Sequence, residues 1–205
     1  MDNEILENHK KYLERKKLYT TFGYNVDDER NFVLEQAKPI GGKILEAGTG
    51  KGYFAITLAE QGYSFTAFDI SPEELRFAKL NLAYFGFDKN VDFRIENAEQ
   101  TSFGNGSFDV VFSVNTLHHF QNPYKVIDEF IRILSPNGKL ILSDFTEYGF
   151  AVIDKIHASE GGTHSTGNVK FSDVESYLRK KGFSVKKTQS TLQNVLAAGK
   201  GLIKR

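Results

Sequence analysis

The sequence predicts a doubly wound α/β fold on a mostly parallel, seven-stranded sheet, and three observations carry that prediction. Apolar strand-like runs alternate along the chain with segments of helical period. One run, Ile44-Leu45, leads straight into Gly48-Thr49-Gly50-Lys51-Gly52, a loop that opens a helix. The loops that hold candidates for chemistry, after Ala47, Asp69, Ile95, Val114 and Ser143, all follow strands, at the edge where such sheets bind ligands.

In chain order, an amphipathic, Lys-rich helix runs to about Leu18 and gives way to Tyr19-Thr20-Thr21-Phe22-Gly23-Tyr24. Asp27 or Asp28 then caps a helix carrying Phe32, Val33 and Leu34. After the first strand the helix starts at Gly52 and runs through Phe54-Ala55-Ile56-Thr57-Leu58-Ala59. Phe65-Thr66-Ala67-Phe68-Asp69 is the second strand, and Ser71-Pro72 starts the next helix with a capping hydroxyl and a first-turn proline. Val91-Asp92-Phe93-Arg94-Ile95 alternates as a strand, and Asp109-Val110-Val111-Phe112-Ser113-Val114 suits the sheet centre. A helix from Val126 to Leu134 stops at Ser135-Pro136-Asn137-Gly138, before a fifth strand, Lys139-Leu140-Ile141-Leu142-Ser143. Phe183-Ser184-Val185 and Asn194-Val195-Leu196-Ala197-Ala198 read as the last two strands.

The glycine loop sets the chemistry. Alternate glycines let the backbone turn tightly and approach a ligand that any Cβ would hold away. A dinucleotide site spaces its third glycine more widely than Gly48-x-Gly50-x-Gly52, and Glu46 before the loop would repel a pyrophosphate. Asp69 stands about 20 residues past the glycines, where a carboxylate can accept both ribose hydroxyls of an adenosine. S-adenosylmethionine fits this combination, since it carries an ammonium, a sulfonium and no phosphate.

Four blocks then extend the pattern: Leu45-Glu46-Ala47-Gly48-Thr49-Gly50-Lys51-Gly52; Phe68-Asp69-Ile70-Ser71; Asn97-Ala98-Glu99 with Ser107-Phe108-Asp109-Val110-Val111; and Leu117-His118-His119-Phe120 with Leu134-Ser135-Pro136-Asn137-Gly138-Lys139-Leu140. On these blocks the chain resembles class I S-adenosylmethionine-dependent methyltransferases, most of all the small-molecule branch typified by ubiquinone and menaquinone biosynthesis enzymes. The resemblance implies a Rossmann-like methyltransferase fold and methyl transfer to a small-molecule acceptor. It places Ala47, Gly48, Gly50 and Gly52 around the methionine moiety, with Glu46 at its amino end. Asp69 would take the ribose hydroxyls, Ile70 would pack on adenine, and Asn97 and Ala98 would read the adenine edge. Asn115 and His118 would lie beside the methionine. Relatives usually carry an acid where Asn97 stands; an amide oxygen still accepts, without charge assistance.

Composition agrees with one compact domain over residues 1–205. Lys plus Arg and Asp plus Glu number 26 each, so no overall basic field attracts nucleic acid or an anionic membrane. With no cysteine there is no disulfide framework, and with no basic, apolar leader or long apolar run the expected location is the cytoplasm. A nicotinamide-dependent oxidoreductase uses the same fold but predicts the wider glycine spacing. A protein that binds adenosylmethionine without turnover shares the same motifs.

For a general base the candidates are His118, His119, Asp144 and Tyr148. Two segments outside the shared core, an N-terminal helical lid over about residues 1–30 and an insertion over about residues 146–170, are expected to cover the site. Within them Tyr12, Tyr19, Phe22 and Tyr24 form an aromatic cluster, and His157-Ala158-Ser159-Glu160-Gly161-Gly162-Thr163-His164 offers a possible metal site. His157 and Glu160 would share a helix face, and His164 would fold back past the glycines to complete two histidines and a carboxylate for zinc, iron or manganese.

Overall fold

The computed structural model describes residues 2–163, 167 and 169–200. Its strands are β1 (Ile44–Ala47), β2 (Phe65–Asp69), β3 (Val91–Ile95), β4 (Phe108–Val114), β5 (Leu134–Phe145), β6 (Ser184–Gln189) and β7 (Gln193–Gly199). The helices are α1 (Asn3–Thr21), α2 (Val26–Ala37), α3 (Tyr53–Glu60), α4 (Pro72–Tyr84), α5 (Pro123–Ile133), α6 (Glu147–Ser159) and α7 (Phe171–Lys180), with short 3-10 turns at Asp88–Asn90 and Leu117–His119.

The strands assemble in the order β3-β2-β1-β4-β5-β7-β6. From β3 through β5 all neighbours are parallel, while β7 runs antiparallel to both β5 and β6. Strand order reverses between β1 and β4, and the reversal opens a crevice at the carboxyl ends of these strands.

Both sheet faces are covered, which is why the central strands are apolar throughout. Along β4, Val110, Phe112 and Val114 enter one core with Val33, Leu34, Phe54, Leu58 and Leu82 of α2, α3 and α4. Val111, one residue out of phase, enters the opposite core with Val126, Ile127, Phe130 and Ile133 of α5 and Val174 and Leu178 of α7. Each fully buried Leu, Val or Phe contributes about 1.5–3 kcal/mol. A third cluster joins Tyr24 and Val26 to Phe145, Val152, Ile153 and Ile156, holding α6 against the segment after α1.

Several boundaries differ from the sequence expectation. Asn25, not Asp27 or Asp28, caps α2, because its amide oxygen accepts from both of their backbone N–H groups. No turn separates α5 from β5: the strand begins at Leu134, and its pairing with β4 steps from Phe108↔Leu134 to Val110↔Lys139. The Ser135-Pro136-Asn137-Gly138 segment is thus absorbed as an irregularity of the ladder, as proline tolerates at a bulge. Helix α7 is an addition to the sequence expectation, although Phe171, Val174, Tyr177 and Leu178 recur at helical spacing and pack on the same core.

Candidate active site

A cavity of about 820 Å³ opens at the switch point between β1 and β4. It is lined by Glu46, Gly48 and Gly50 after β1, Asp69 and Ile70 after β2, Asn97 and Ala98 after β3, and Asn115 and His119 after β4. Four separate loops therefore bring eight of the eleven expected cofactor-binding residues to one space, and Ala47, Gly52 and His118 are not among them.

The glycine loop is bound to the neighbouring strand, since Gly48 and Thr49 donate their N–H groups to the Phe68 carbonyl at 2.9 and 3.0 Å. Gly48 has φ +73°, and a Cβ there would lie 2.6 Å from the Thr116 methyl. At Gly50, φ +52°, a Cβ would meet nothing nearer than a Glu74 carboxylate oxygen at 3.8 Å, so bare backbone faces the cavity. Asp69 fixes that backbone: Oδ2 accepts from Gly50 N–H and Oδ1 from Ser71 N–H, both at 2.9 Å. Asn97 Oδ1 accepts from Glu99 N–H at 2.9 Å, closing a local turn that presents Ala98.

Two expected loop residues stay behind the wall. Ala47 is fully buried in the sheet. Gly52 is the N-cap of α3, where a Cβ would press on Ala78 at 3.1 Å, so this glycine serves helix packing and not ligand approach.

Glu46 is 2% exposed and accepts from the Thr49 hydroxyl at 2.7 Å. Burial pushes its carboxyl up to about 7, against the Thr49 hydrogen bond and the Arg30 charge, with Asp69 adding to the rise. Arg30 reaches the cavity from α2, a residue that sequence reasoning missed. It donates to the Tyr24 hydroxyl at 3.0 Å and lies 2.9 Å from the Asn115 amide oxygen in the orientation that satisfies both side chains. Asn115 has φ +56°, a strained conformation for a residue with a Cβ, and it holds that amide at the end of β4. Tyr24 is further fixed by Gln193, whose amide donates to its hydroxyl at 3.0 Å.

Among the candidate bases, His119 lines the cavity. His118 is 4% exposed behind it, the two ring centroids 4.0 Å apart. Nδ1 of His118 is 2.6 Å from Asp144 Oδ1, and Asp144 also accepts from the backbone N–H groups of His118 at 3.1 Å and Phe145 at 2.9 Å. Neither His118 nor Asp144 belongs to the cavity wall, and Asp144 is committed to holding the Leu117–His119 turn against the end of β5. Tyr148 is 60% exposed on α6 and is not brought to the cavity.

The expected metal set is corrected. Glu160 does not share a face of α6 with His157; it is the residue that ends the helix, and its Oε2 pairs with Arg15 of α1 at 3.2 Å. His157 reaches the cavity without it, and His164 lies outside the described residues. Among the described residues no group of three His, Asp or Glu side chains is placed to hold a metal ion. No helix of the described residues is long and apolar enough to cross a membrane.

Comparison with known proteins agrees with this geometry. Residues 45–142 match the methyltransferase domain family. Over 165 residues the chain is 32% identical to a ubiquinone biosynthesis O-methyltransferase of Pseudomonas aeruginosa, covering 76% of this chain and 70% of that protein. A protein of the same name from Xanthomonas axonopodis pv. citri is 27% identical over 170 residues, covering 78% and 70%. In fold, the chain is similar to a SAM-dependent methyltransferase from Aquifex aeolicus, with TM-score 0.64 and 19% identity over 82% of this chain and 88% of that one. It is also similar to a Haemonchus contortus phosphoethanolamine N-methyltransferase in complex with S-adenosyl-L-methionine, with TM-score 0.67 and 18% identity over 84% and 52%.

Proposed function

The chain belongs to the S-adenosylmethionine-dependent methyltransferase family, and from that premise we propose that it methylates a hydroxyl oxygen of a small acceptor, with His119 as the base. The observation that carries the reading is the single cavity with the glycine loop, Asp69 and the Asn97-Ala98 turn on one side and His119 on another. The names of its O-methyltransferase relatives support oxygen as the methylated atom.

The residues fit the cofactor. Bare backbone at Gly50 gives the methionine moiety close access, Glu46 offers a carboxylate to its ammonium, and Arg30 with Asn115 offers donors to its carboxylate. Asp69 retains lone pairs for the ribose hydroxyls after binding Gly50 and Ser71, since a carboxylate has about four acceptor sites. Ile70, 66% exposed, and Phe120 provide apolar surface for adenine, and Ala98 N–H and Asn97 border it. When bound, S-adenosylmethionine supplies an electrophilic methyl group on a sulfonium centre.

The chain's own work is alignment and removal of one proton. His119 takes the hydroxyl proton as the acceptor oxygen attacks, and the His118–Asp144 pair behind it fixes the turn that carries the base. Residues 12–24 and 145–163 act as lids: Arg15 of α1 pairs with Glu160 after α6 beside the cavity, and Tyr24 packs edge-on to Phe145 at 5.9 Å. Closing them excludes water from the transfer.

Radiolabelled methyl transfer into hydroxylated aromatic compounds, paired with calorimetric titration of S-adenosylhomocysteine, tests the reading. His119→Gln is expected to lower kcat by about 10²–10⁴, the usual contribution of a general base, while product affinity stays within threefold. Tight binding with no transfer to any acceptor would instead mark a binding protein without turnover.

A further inference from the structure

We propose that the acceptor is an aromatic acid whose carboxylate docks on Arg15, where the main cavity abuts a second one beneath α1. The inference rests on the reading of the main cavity as the cofactor site and names the chemistry of the acceptor.

The second cavity, about 350 Å³, shares Arg15, Lys51 and Tyr53 with the first, so the two abut along that border. A single drug-sized ligand occupies a site of about 300–1,000 Å³. Together the two spaces hold a cofactor and an acceptor.

Arg15 and Lys51 are the cations at the junction, and the Arg15 side chain is 27% exposed. Its Nε and Nη2 both donate to the Tyr19 hydroxyl, at 3.3 and 3.2 Å, and Nη2 also meets Glu160 at 3.2 Å. Both Nη2 hydrogens are taken by Tyr19 and Glu160, whereas Nη1 makes no hydrogen bond to the described residues and keeps two unspent N–H donors. A guanidinium held by Tyr19 and Glu160 keeps its free Nη1 donors fixed in direction for a ligand carboxylate.

The surrounding charges are mixed in sign. Lys11 and Lys51 join Arg15 around the second cavity against the acids Glu14 and Glu160. Neither lysine forms an ion pair with the described residues, whereas Glu160 is already matched to Arg15. Glu74 on the main-cavity side faces Lys51 and Arg15, so the border is close to neutral and a ligand carboxylate there needs the directed N–H donors of Arg15.

The walls at this border are aromatic. Tyr53 stacks on Tyr12 with centroids 5.3 Å apart, and Tyr19 stands beside Arg15. Burial holds the Tyr53 hydroxyl above the ordinary phenol range, so it stays neutral beside an anion. A ring between such walls keeps a hydroxyl on the His119 side and its carboxylate at Arg15.

The test uses the full chain saturated with S-adenosylhomocysteine at pH 8, titrated with 3,4-dihydroxybenzoate and with 3,4-dihydroxybenzamide. The acid is expected to bind at least about tenfold more tightly, the discrimination of a charge-assisted pair over a neutral one. Arg15→Gln should erase that preference by weakening the acid and leaving the amide within about twofold, and Arg15→Lys should restore part of it. A merely structural role for Arg15 would weaken both ligands alike, which overturns the proposal, as does an acid that binds no better than the amide or not at all. If S-adenosylhomocysteine itself fails to bind the unsubstituted protein, the cofactor reading falls and this inference falls with it. Unchanged affinity for S-adenosylhomocysteine with no acid preference overturns only the inference.

Discussion

Glu46 is a carboxylate enclosed at the end of a parallel strand, with its pKa raised by burial to about 7. The unfolded value is near 4.5, so between these limits the folded state holds more protons than the unfolded chain. The stabilising contribution is present below the lower value and is lost as pH rises through the upper one, by at most about 3 kcal/mol at 1.36 kcal/mol per unit. A cofactor ammonium beside Glu46 favours the ionised form, so affinity should rise over the same pH window. Glu46→Gln is therefore expected to stabilise the free protein at pH 8, by about 1–3 kcal/mol, while weakening adenosylmethionine binding. Denaturant unfolding and calorimetry at pH 5.5 and 8 measure both; loss of stability together with binding would make Glu46 a packing residue. Asp69 has a different expected signature, because it holds the loop and, in the proposed site, also takes the ribose. Asp69→Ala should weaken adenosylmethionine by about 2–4 kcal/mol, from two hydrogen bonds to a charged acceptor partly replaced by water. An affinity within twofold of the natural chain, by titration calorimetry, would remove it from the site.

Helix α1 docks on α4 through a buried polar seam, and the seam makes its attachment sensitive to acid. Asn8 donates to Asn81 at 2.6 Å, and Asn81 in turn donates to the Lys51 carbonyl at 2.8 Å, linking the helix to the glycine loop. The next residue, His9, stacks on Tyr84, and its buried Nδ1 has no hydrogen-bond partner in the described structure. Burial, and after it the charge of Lys16, holds the imidazole below its ordinary value of 6.5. The unfolded chain thus takes up the proton first, so this part of the stability is present above that value and lost as pH falls. Hydrogen exchange, corrected for intrinsic rates, should show lower protection of α1 at pH 5.5 than at pH 7.5. His9→Phe should abolish the difference. Equal protection at both pH values in the natural chain would show that the imidazole accepts its proton in place.

At the scale of the molecule, the two segments outside the sheet meet each other over its carboxyl edge. Lys16 of α1 pairs with Asp27 of α2 at 2.5 Å, Arg15 with Glu160, and Tyr24 reaches Arg30 and Gln193. The two ion pairs are partly exposed and open at low cost, whereas the Tyr24–Gln193 bond is buried and anchors the segment. Adding S-adenosylhomocysteine should slow exchange in residues 12–24 and 145–163 by about tenfold or more, with β1, β4 and β5 already protected. Unchanged exchange in both segments would end their role as lids.

The sequence by itself determined the alternation of helices and strands, the seven strands and the glycine loop with its following acid. Those features are local: period two along Val91-Asp92-Phe93-Arg94-Ile95, a capping Ser71 before Pro72, and glycines at the positive-φ turns, with Asn115 the exception. Boundaries failed where an undistinguished neighbour won, as at Asn25, or where an irregular ladder absorbed an apparent turn, as before Lys139. Only the tertiary structure decided which polar side chains face the cavity. Arg30 sits in Asp27-Asp28-Glu29-Arg30-Asn31, a run with the look of a solvated helix face, and Arg15 lies in a helix rich in lysine. Glu160 and His157 looked like partners because they are three residues apart, yet the end of α6 turns Glu160 toward a helix 145 residues away in sequence. Local pattern fixes backbone conformation because its causes lie within a few residues, whereas the direction of a long charged side chain depends on what the sheet order and helix packing bring beside it.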